Sequence, residues 1–332
     1  MYMTRFVRLR SLAKINLDLR VLERRADGFH NLRTVFQTVW LADTIEIAFT
    51  PGRKTSLEIE DALHIPDNLV LRAAQAVLDA AKISGRAQFR LRKRIPMGAG
   101  MGGGSSNAAA VLLALPVLAG QRIGYETLLA LGAELGSDVP FFLAGGTAVA
   151  LDRGTEFYSL PDLAEEPVLI VAPGVHVATG PAYQALGREL TLPDSSRIIN
   201  GFQLFARTLV DSRSARAASA FSANDFEPVV FSQYPQLHAL FKRLQRAAAG
   251  RKDAGAARMT GSGSALFALF GSLAERDLAE RSLGRDRGFR ECRVIPARLV
   301  SRRGYQRLWR RQLAEHAIPG EVIWPPPSRY AR

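Results

Sequence analysis

The sequence contains a single cysteine in 332 residues, Cys292, and no long apolar run. One cysteine cannot form an intrachain disulfide, so the fold does not require an oxidising compartment. The longest apolar stretch, Ala108 to Ala119, is too short to span a bilayer. Arginines interrupt the apolar residues of the N-terminus, which therefore lacks the apolar core of a secretory signal. We expect a cytoplasmic protein without a membrane partner.

Acidic residues are scarce relative to basic ones: 31 Asp and Glu stand against 44 Lys and Arg, giving a net charge of +13. This excess predicts an anionic substrate or a polyanionic partner. Arginines crowd the last fifth of the chain, before a proline-rich end at Pro325 to Pro327. They form either a solvated face or tail, or a nucleic-acid-binding surface with Tyr305 and Trp309 as its interleaved aromatics. Both interpretations stay open.

With 47% hydrophobic residues, the chain is long enough for two domains with full cores. The charged stretch 152–166 is the best domain boundary. Alternation predicts a strand over Ser11 to Val21, with Lys14 and Asn16 on its polar face. Further patterns predict two strands over 35–50 that break near Asp43, helices over 68–81, 125–135, 225–231 and 237–249, and strands over 168–172 and 265–270.

A glycine-rich loop separates an alternating strand, with Phe89, Leu91 and Lys93, from an apolar helical segment. Glycines allow close backbone approach to a ligand, and the free N–H groups of a helix start attract anions. The loop therefore predicts a phosphate-binding site, with a structural turn as the alternative. Its residues are Pro96, Met97, Gly98, Ala99, Gly100, Met101, Gly102, Gly103, Gly104, Ser105 and Ser106.

Two common phosphate loops do not fit this spacing. A Walker loop requires a lysine directly before the hydroxyl residue, where this chain has Gly104. A dinucleotide fingerprint requires an acidic residue at a strand end about 20 positions later, and the segment 121–126 reads as a turn into a helix. A cation from elsewhere in the chain must neutralise the phosphates.

Three motifs in the same order resemble those of the GHMP kinases: Ala13 to Asn16, the loop Pro96 to Ser106, and Thr260 to Ser264. Four more motifs resemble the family members that act on 4-diphosphocytidyl-2-C-methyl-D-erythritol. They are Arg25-Ala26-Asp27-Gly28-Phe29-His30, Pro66 to Leu69, Gly136 to Phe141 and Asn224 to Glu227. The resemblance covers roughly residues 11–296.

This resemblance implies a two-domain α/β (α+β) fold with the active site in the cleft between the domains. It places an ATP-binding domain at 1–160 and a C-terminal domain at 161–299. The basic extension at 300–332 lies beyond the resemblance, which says nothing about its role. The implied reaction transfers the γ-phosphoryl group of ATP, with Mg²⁺, to the substrate's 2-hydroxyl in the non-mevalonate isoprenoid pathway. A monomer or homodimer is expected.

The resemblance also implies residue roles. Asp138 matches the family's catalytic aspartate, although it could merely cap a helix. Lys14 matches the active-site lysine and supplies the missing cation. The Ser105 and Ser106 hydroxyls are expected to be available to phosphate or Mg²⁺. Asn68 and Lys93 are expected near the adenine, with a helix cap and an exposed strand charge as their alternatives.

The cytidine end of the substrate is expected to contact aromatic residues that stack on its base. The candidates are Phe29, His30 and Tyr183, with Asn16 and Thr179 at other substrate positions. A core aromatic after a turn is the alternative for Phe29. The remaining histidines have no metal-ligand spacing, and no protein metal site is predicted.

Overall fold

A long antiparallel strand pair forms the centre of the N-terminal half in this computed structural model, which describes residues 3–26, 30–152, 154–186, 195–249 and 257–331. β1 (Arg5–Arg24) pairs with β2 (His30–Pro51) along nearly its whole length. The predicted break at Asp43 is wrong, because β2 continues through it. The register with β1 instead shifts by two residues at 40–41, an irregularity that bends a strand without ending it.

Four further strands complete this six-stranded sheet. The edge of β2 that faces away from β1 pairs with two strands. Its C-terminal part pairs with β4 and its N-terminal part with β5. β3 runs parallel to β4, and β6 runs antiparallel to β5. These strands are β3 (Ser56–Asp61), β4 (Gly85–Arg92), β5 (Thr147–Leu151) and β6 (Glu156–Ser159).

Four helices cover one face of this sheet. The central one is α2, whose residues 106–118 are all buried. A helix that is apolar on every side belongs inside a protein, which explains why this segment shows little amphipathic periodicity. The helices are α1 (Leu69–Ala81), α2 (Gly103–Ala119), α3 (Tyr125–Leu135) and α4 (Val139–Ala144).

The second half is an antiparallel four-stranded sheet of order β10-β7-β9-β8 with helices. The mixed architecture confirms the predicted fold class, and the predicted strands and helices of this half are confirmed to within two residues at each end. The strands are β7 (Pro167–Ala172), β8 (Ala257–Met259), β9 (Leu266–Leu269) and β10 (Arg293–Arg298). The helices are α5 (Thr179–Ala185), α6 (Ser195–Ser212), α7 (Ala215–Ala218), α8 (Glu227–Gln233), α9 (Pro235–Ala248) and α10 (Leu273–Arg285).

The segment after residue 300 folds back onto the N-terminal half. Its helix α11 (Arg302–Gln312) buries Tyr305, Leu308 and Trp309 in the same core as α2 and α4. Several arginines of α11 lie on its outer face. Within the described ranges, no helix is long and apolar enough to cross a membrane.

Candidate active site

A cleft of about 1030 Å³ lies where β1, the glycine loop, α5 and the loop after β8 meet. It brings together predicted residues that are far apart in the sequence. Those that line it are Lys14, Asn16, His30, Gly100, Gly102, Asp138, Thr179 and Tyr183.

Lys14 lies at the floor of this cleft. Strand alternation places Lys14 and Asn16 on one face of β1, as predicted, and the Lys14 Nζ donates to Asn16 Oδ1 at 2.8 Å. The same Nζ lies 3.5 Å from Asp138 Oδ2 and 4.6 Å from the centre of the Phe36 ring. Burial lowers the pKa of Lys14, and the Asp138 carboxylate partly opposes that shift.

Asp138 immediately precedes α4, which is where a capping residue would lie. Its side chain nevertheless makes no capping hydrogen bond. The carboxylate instead faces Lys14 and keeps 28% of its side-chain surface exposed to the cleft. The alternative in which Asp138 only caps a helix is therefore wrong. A carboxylate and a cation lie side by side at a solvent-accessible position.

The glycine loop and the loop after β8 touch each other across the cleft. Gly98, Gly100 and Gly102 have φ values of 63°, 75° and 68°, a region that favours glycine. A Cβ atom on Gly100 would overlap the carbonyl oxygen of Thr260. A Cβ atom on Gly261 would lie 3.0 Å from the Cα atom of Gly100. Both loops need glycine so that their backbones can meet.

Asn16 connects these loops to the lysine. Its Oδ1 accepts from the Thr260 hydroxyl at 3.1 Å and from the Gly261 amide at 2.9 Å, as well as from Lys14. Its Nδ2 donates to the Thr34 hydroxyl at 2.8 Å. Thr260 belongs to a predicted motif but was given no role of its own, and Thr34 was not predicted. The small-residue run 259–264 was the available signal for Thr260.

The two serines that end the loop differ. Ser106 is buried and its hydroxyl donates to the Leu12 carbonyl at 2.7 Å. The prediction that this hydroxyl is available to phosphate or Mg²⁺ is therefore wrong. It occupies the second turn of α2, on the side that faces β1. Ser105 is partly exposed at the helix start.

Asn68 and Lys93 lie outside the lining of the cleft. Asn68 caps α1 by accepting a hydrogen bond from the Val70 amide at 3.1 Å, as its alternative predicted. Lys93 is buried and forms an ion pair with Asp43, so the alternative of an exposed strand charge is wrong. Its Nζ lies 3.1 Å from where a Cβ on Gly103 would be, beside the start of α2. An adenine-binding role for either residue stays a prediction.

An aromatic pair also lines the cleft. The His30 ring stacks on the Tyr183 ring with 5.3 Å between centroids and an angle of 23°. Tyr183 also meets the Phe226 ring edge-on at 4.8 Å. Burial, with a smaller effect of the Asp138 charge, raises the pKa of Tyr183 to about 12. The Thr179 and Ser262 hydroxyls lie 3.0 Å apart at the rim, and Phe29 lies outside the described residues.

The C-terminal segment supports the helix that follows Asp138. The Tyr305 hydroxyl donates to the Phe142 carbonyl at 2.6 Å, and Trp324 Nε1 donates to the Leu143 carbonyl at 2.8 Å. This support was not predicted. Its signal was the helical spacing of Tyr305, Leu308 and Trp309 within the arginine-rich region.

Comparison with known proteins assigns the chain to a family. Residues 68–146 match the GHMP kinases N terminal domain, and residues 210–288 match the GHMP kinases C terminal domain. A 4-diphosphocytidyl-2-C-methyl-D-erythritol kinase of Solibacter usitatus (strain Ellin6076) is 51% identical over 98% of both chains. One of Chlorobaculum parvum (strain DSM 263 / NCIMB 8327) is 38% identical over 84% of this chain and 94% of its own.

Solved structures give the same assignment. A crystal structure of 4-(cytidine 5'-diphospho)-2C-methyl-D-erythritol kinase has a TM-score of 0.69 and 32% identity, covering 90% of this chain and 99% of its own. The homoserine kinase of Cytophaga hutchinsonii ATCC 33406 shares the fold, with a TM-score of 0.68 at 18% identity over 89% of this chain and 97% of its own. The chain therefore belongs to the GHMP kinases, in the group of the 4-diphosphocytidyl-2-C-methyl-D-erythritol kinases.

Proposed function

We propose that this chain phosphorylates the 2-hydroxyl of 4-diphosphocytidyl-2-C-methyl-D-erythritol with ATP, giving the 2-phosphate and ADP in the non-mevalonate isoprenoid pathway. The observation that carries this proposal is the Lys14–Asp138 pair, at 3.5 Å, in a cleft shared by the glycine loop and the His30–Tyr183 pair. A relative named 4-diphosphocytidyl-2-C-methyl-D-erythritol kinase matches over 98% of this chain.

Phosphoryl transfer depends mainly on positioning and charge stabilisation. Asp138 accepts the proton of the substrate's 2-hydroxyl. The hydroxyl oxygen bonds to the γ-phosphorus while the bond between that phosphorus and the ADP oxygen breaks. Lys14 places positive charge beside the carboxylate and beside the transferred group. Asn16 fixes the Lys14 ammonium relative to both loops, so the cation is positioned before substrate binds.

The glycine loop fits the phosphates of ATP. Its positive-φ glycines expose backbone amides, and the free N–H groups of α2 begin at Gly103. Among the described residues, no three His, Cys, Asp or Glu side chains converge as a metal cage. Mg²⁺ usually keeps several waters and is held by one or two protein groups plus phosphates. The Ser105 hydroxyl, partly exposed at the start of α2, would hold Mg²⁺, which would neutralise phosphate charge.

The His30–Tyr183 pair in the cleft suits the cytosine ring. Each base–aromatic stack contributes about 1–3 kcal/mol, and His30 also offers ring nitrogens to the base edge. Homoserine and mevalonate have no base that could stack on these rings, so a GHMP kinase specific for either gains no affinity from the His30–Tyr183 pair. The pair favours the cytidine-bearing substrate over these acceptors.

A coupled assay of ADP release tests the proposal. The purified chain should release ADP with 4-diphosphocytidyl-2-C-methyl-D-erythritol, and at a far lower rate with homoserine or mevalonate. The Asp138→Ala variant is the control for contaminating kinases and should lose on the order of 10² or more in turnover. Absence of ADP release with the cytidine substrate, or preference for either other acceptor, would refute the assignment.

A further inference from the structure

The outer face of the N-terminal sheet carries two adjacent rows of side chains across three strands. β1, β2 and β4 are in register there, so Arg8, Glu46 and Arg90 form one row. Arg10, Thr44 and Arg92 form the next. Residues paired across antiparallel strands point to the same face, and neighbouring strands lie about 4.8 Å apart.

In the first row, two arginines form ion pairs with a central glutamate. Arg8 Nη2 lies 2.6 Å from Glu46 Oε1, and Arg90 Nη1 lies 3.7 Å from Glu46 Oε2. The carboxylate is thus held between two guanidinium groups. A guanidinium presents paired N–H donors that match carboxylate and phosphate oxygens.

The second row has the two arginines and no carboxylate. Arg10 and Arg92 are exposed, and neither forms a salt bridge with any residue that the structure describes. A hydroxyl, that of Thr44, occupies the place that Glu46 has in the first row. Two like charges facing one gap repel each other unless an anion lies between them.

The Gln312 side chain lies at the same place. Arg8, Arg10, Thr44, Glu46, Arg92 and Gln312 line a cavity of about 260 Å³. The Gln312 Oε1 accepts from the Arg10 amide at 2.7 Å, which leaves its Nε2 as a donor. This Nε2 is buried and has no hydrogen-bond partner in the part of the chain that the structure describes.

We propose that this cavity, between Arg10 and Arg92, binds a phosphate or diphosphate group in the place of the missing carboxylate. It shares no lining residue with the cleft around Lys14, so it is a second anion site. The two guanidinium groups and the Thr44 hydroxyl supply the donors, with the unpartnered Gln312 Nε2 beside them.

Calorimetric titration with sodium pyrophosphate, in the presence of saturating ADP to occupy the glycine loop, tests this site. The native chain should bind one pyrophosphate, and the Arg10→Gln/Arg92→Gln variant at least tenfold more weakly. Arg281→Gln/Arg285→Gln, on exposed positions of α10, is the control with the same charge change and should match the native chain. No binding to the native chain, or equal loss in both variants, would overturn the proposal.

Thr44→Glu is an independent test because it supplies the missing carboxylate. This variant should lose pyrophosphate binding and melt at a higher temperature than the native chain. Unchanged pyrophosphate affinity in Thr44→Glu would overturn the proposal. Titration with a short RNA under the same conditions distinguishes a nucleic-acid-binding surface from a site for a small phosphate group. RNA binding that depends on Arg10 and Arg92 and that pyrophosphate does not displace would also overturn it.

Discussion

Replacing Gly100 by alanine should break the contact between the two loops of the active site. The added Cβ would overlap the Thr260 carbonyl oxygen and come within 2.9 Å of its carbon. A left-handed φ costs a non-glycine residue about 1–2 kcal/mol, and overpacking costs about 1–3 kcal/mol. We therefore expect the variant to lose about 2–5 kcal/mol of unfolding free energy, a large part of a typical total of about 5–15 kcal/mol.

The assay is urea denaturation of Gly100→Ala followed by circular dichroism, with turnover measured on the folded fraction. Gly104→Ala is the matched control, because its Cβ would meet only Leu69 Cδ1 at an ordinary 3.6 Å. Its unfolding free energy should stay within about 1 kcal/mol of the native value. In Gly100→Ala, displacement of the loop by about 1 Å should cost on the order of 10² in turnover. Native stability and turnover in Gly100→Ala would refute the interlocked-loop geometry.

Three other predictions follow from burial in the site and the core. The pKa of Lys14 is lower in the folded chain than its ordinary value of 10.5, so between these two pH values the unfolded chain binds more protons. The unfolding free energy of the native chain should therefore rise with pH across this window relative to that of Lys14→Met. Parallel curves of unfolding free energy against pH for the two proteins would contradict this. Tyr183→Ala should raise KM for the cytidine substrate about 5- to 150-fold in steady-state kinetics, with Tyr183→Phe near native, because the ring contributes a base stack; an unchanged KM in Tyr183→Ala would contradict the stack. Trp309→Ala should lower the unfolding free energy by about 3–5 kcal/mol in urea, against less than about 0.5 kcal/mol for exposed Arg307→Ala; equal losses would contradict burial of that face of α11.

Local periodicity and the resemblance of short motifs account for what could be predicted about the site. A two-residue period is enough to place Lys14 and Asn16 on one face of a strand, whatever the strand packs against. The absence of a lysine at Gly104 indicated that the cation had to come from another part of the chain. Lys14 lies in the cleft beside the glycine loop, where its backbone amide donates to the Met101 carbonyl at 3.1 Å.

Features that depend on distant partners could not be predicted. A break was predicted near Asp43, and a buried carboxylate does normally cost free energy. In the structure it pairs with Lys93 and accepts from the amides of Arg94 and Ile95, at 2.7 and 2.9 Å. The helix α11 was not predicted for a similar reason. Its arginines dominate the composition, while its buried Tyr305 bonds to Phe142, more than 150 positions away in the sequence.

The most direct test of the account is the turnover of Asp138→Asn with the cytidine substrate, together with its affinity for ADP. Asparagine keeps the size of the side chain but cannot accept the hydroxyl proton as a carboxylate does. Turnover should fall on the order of 10² or more, while the dissociation constant of ADP stays nearly native. Native turnover in this variant would contradict the assignment of Asp138 as the base that completes the Lys14 site.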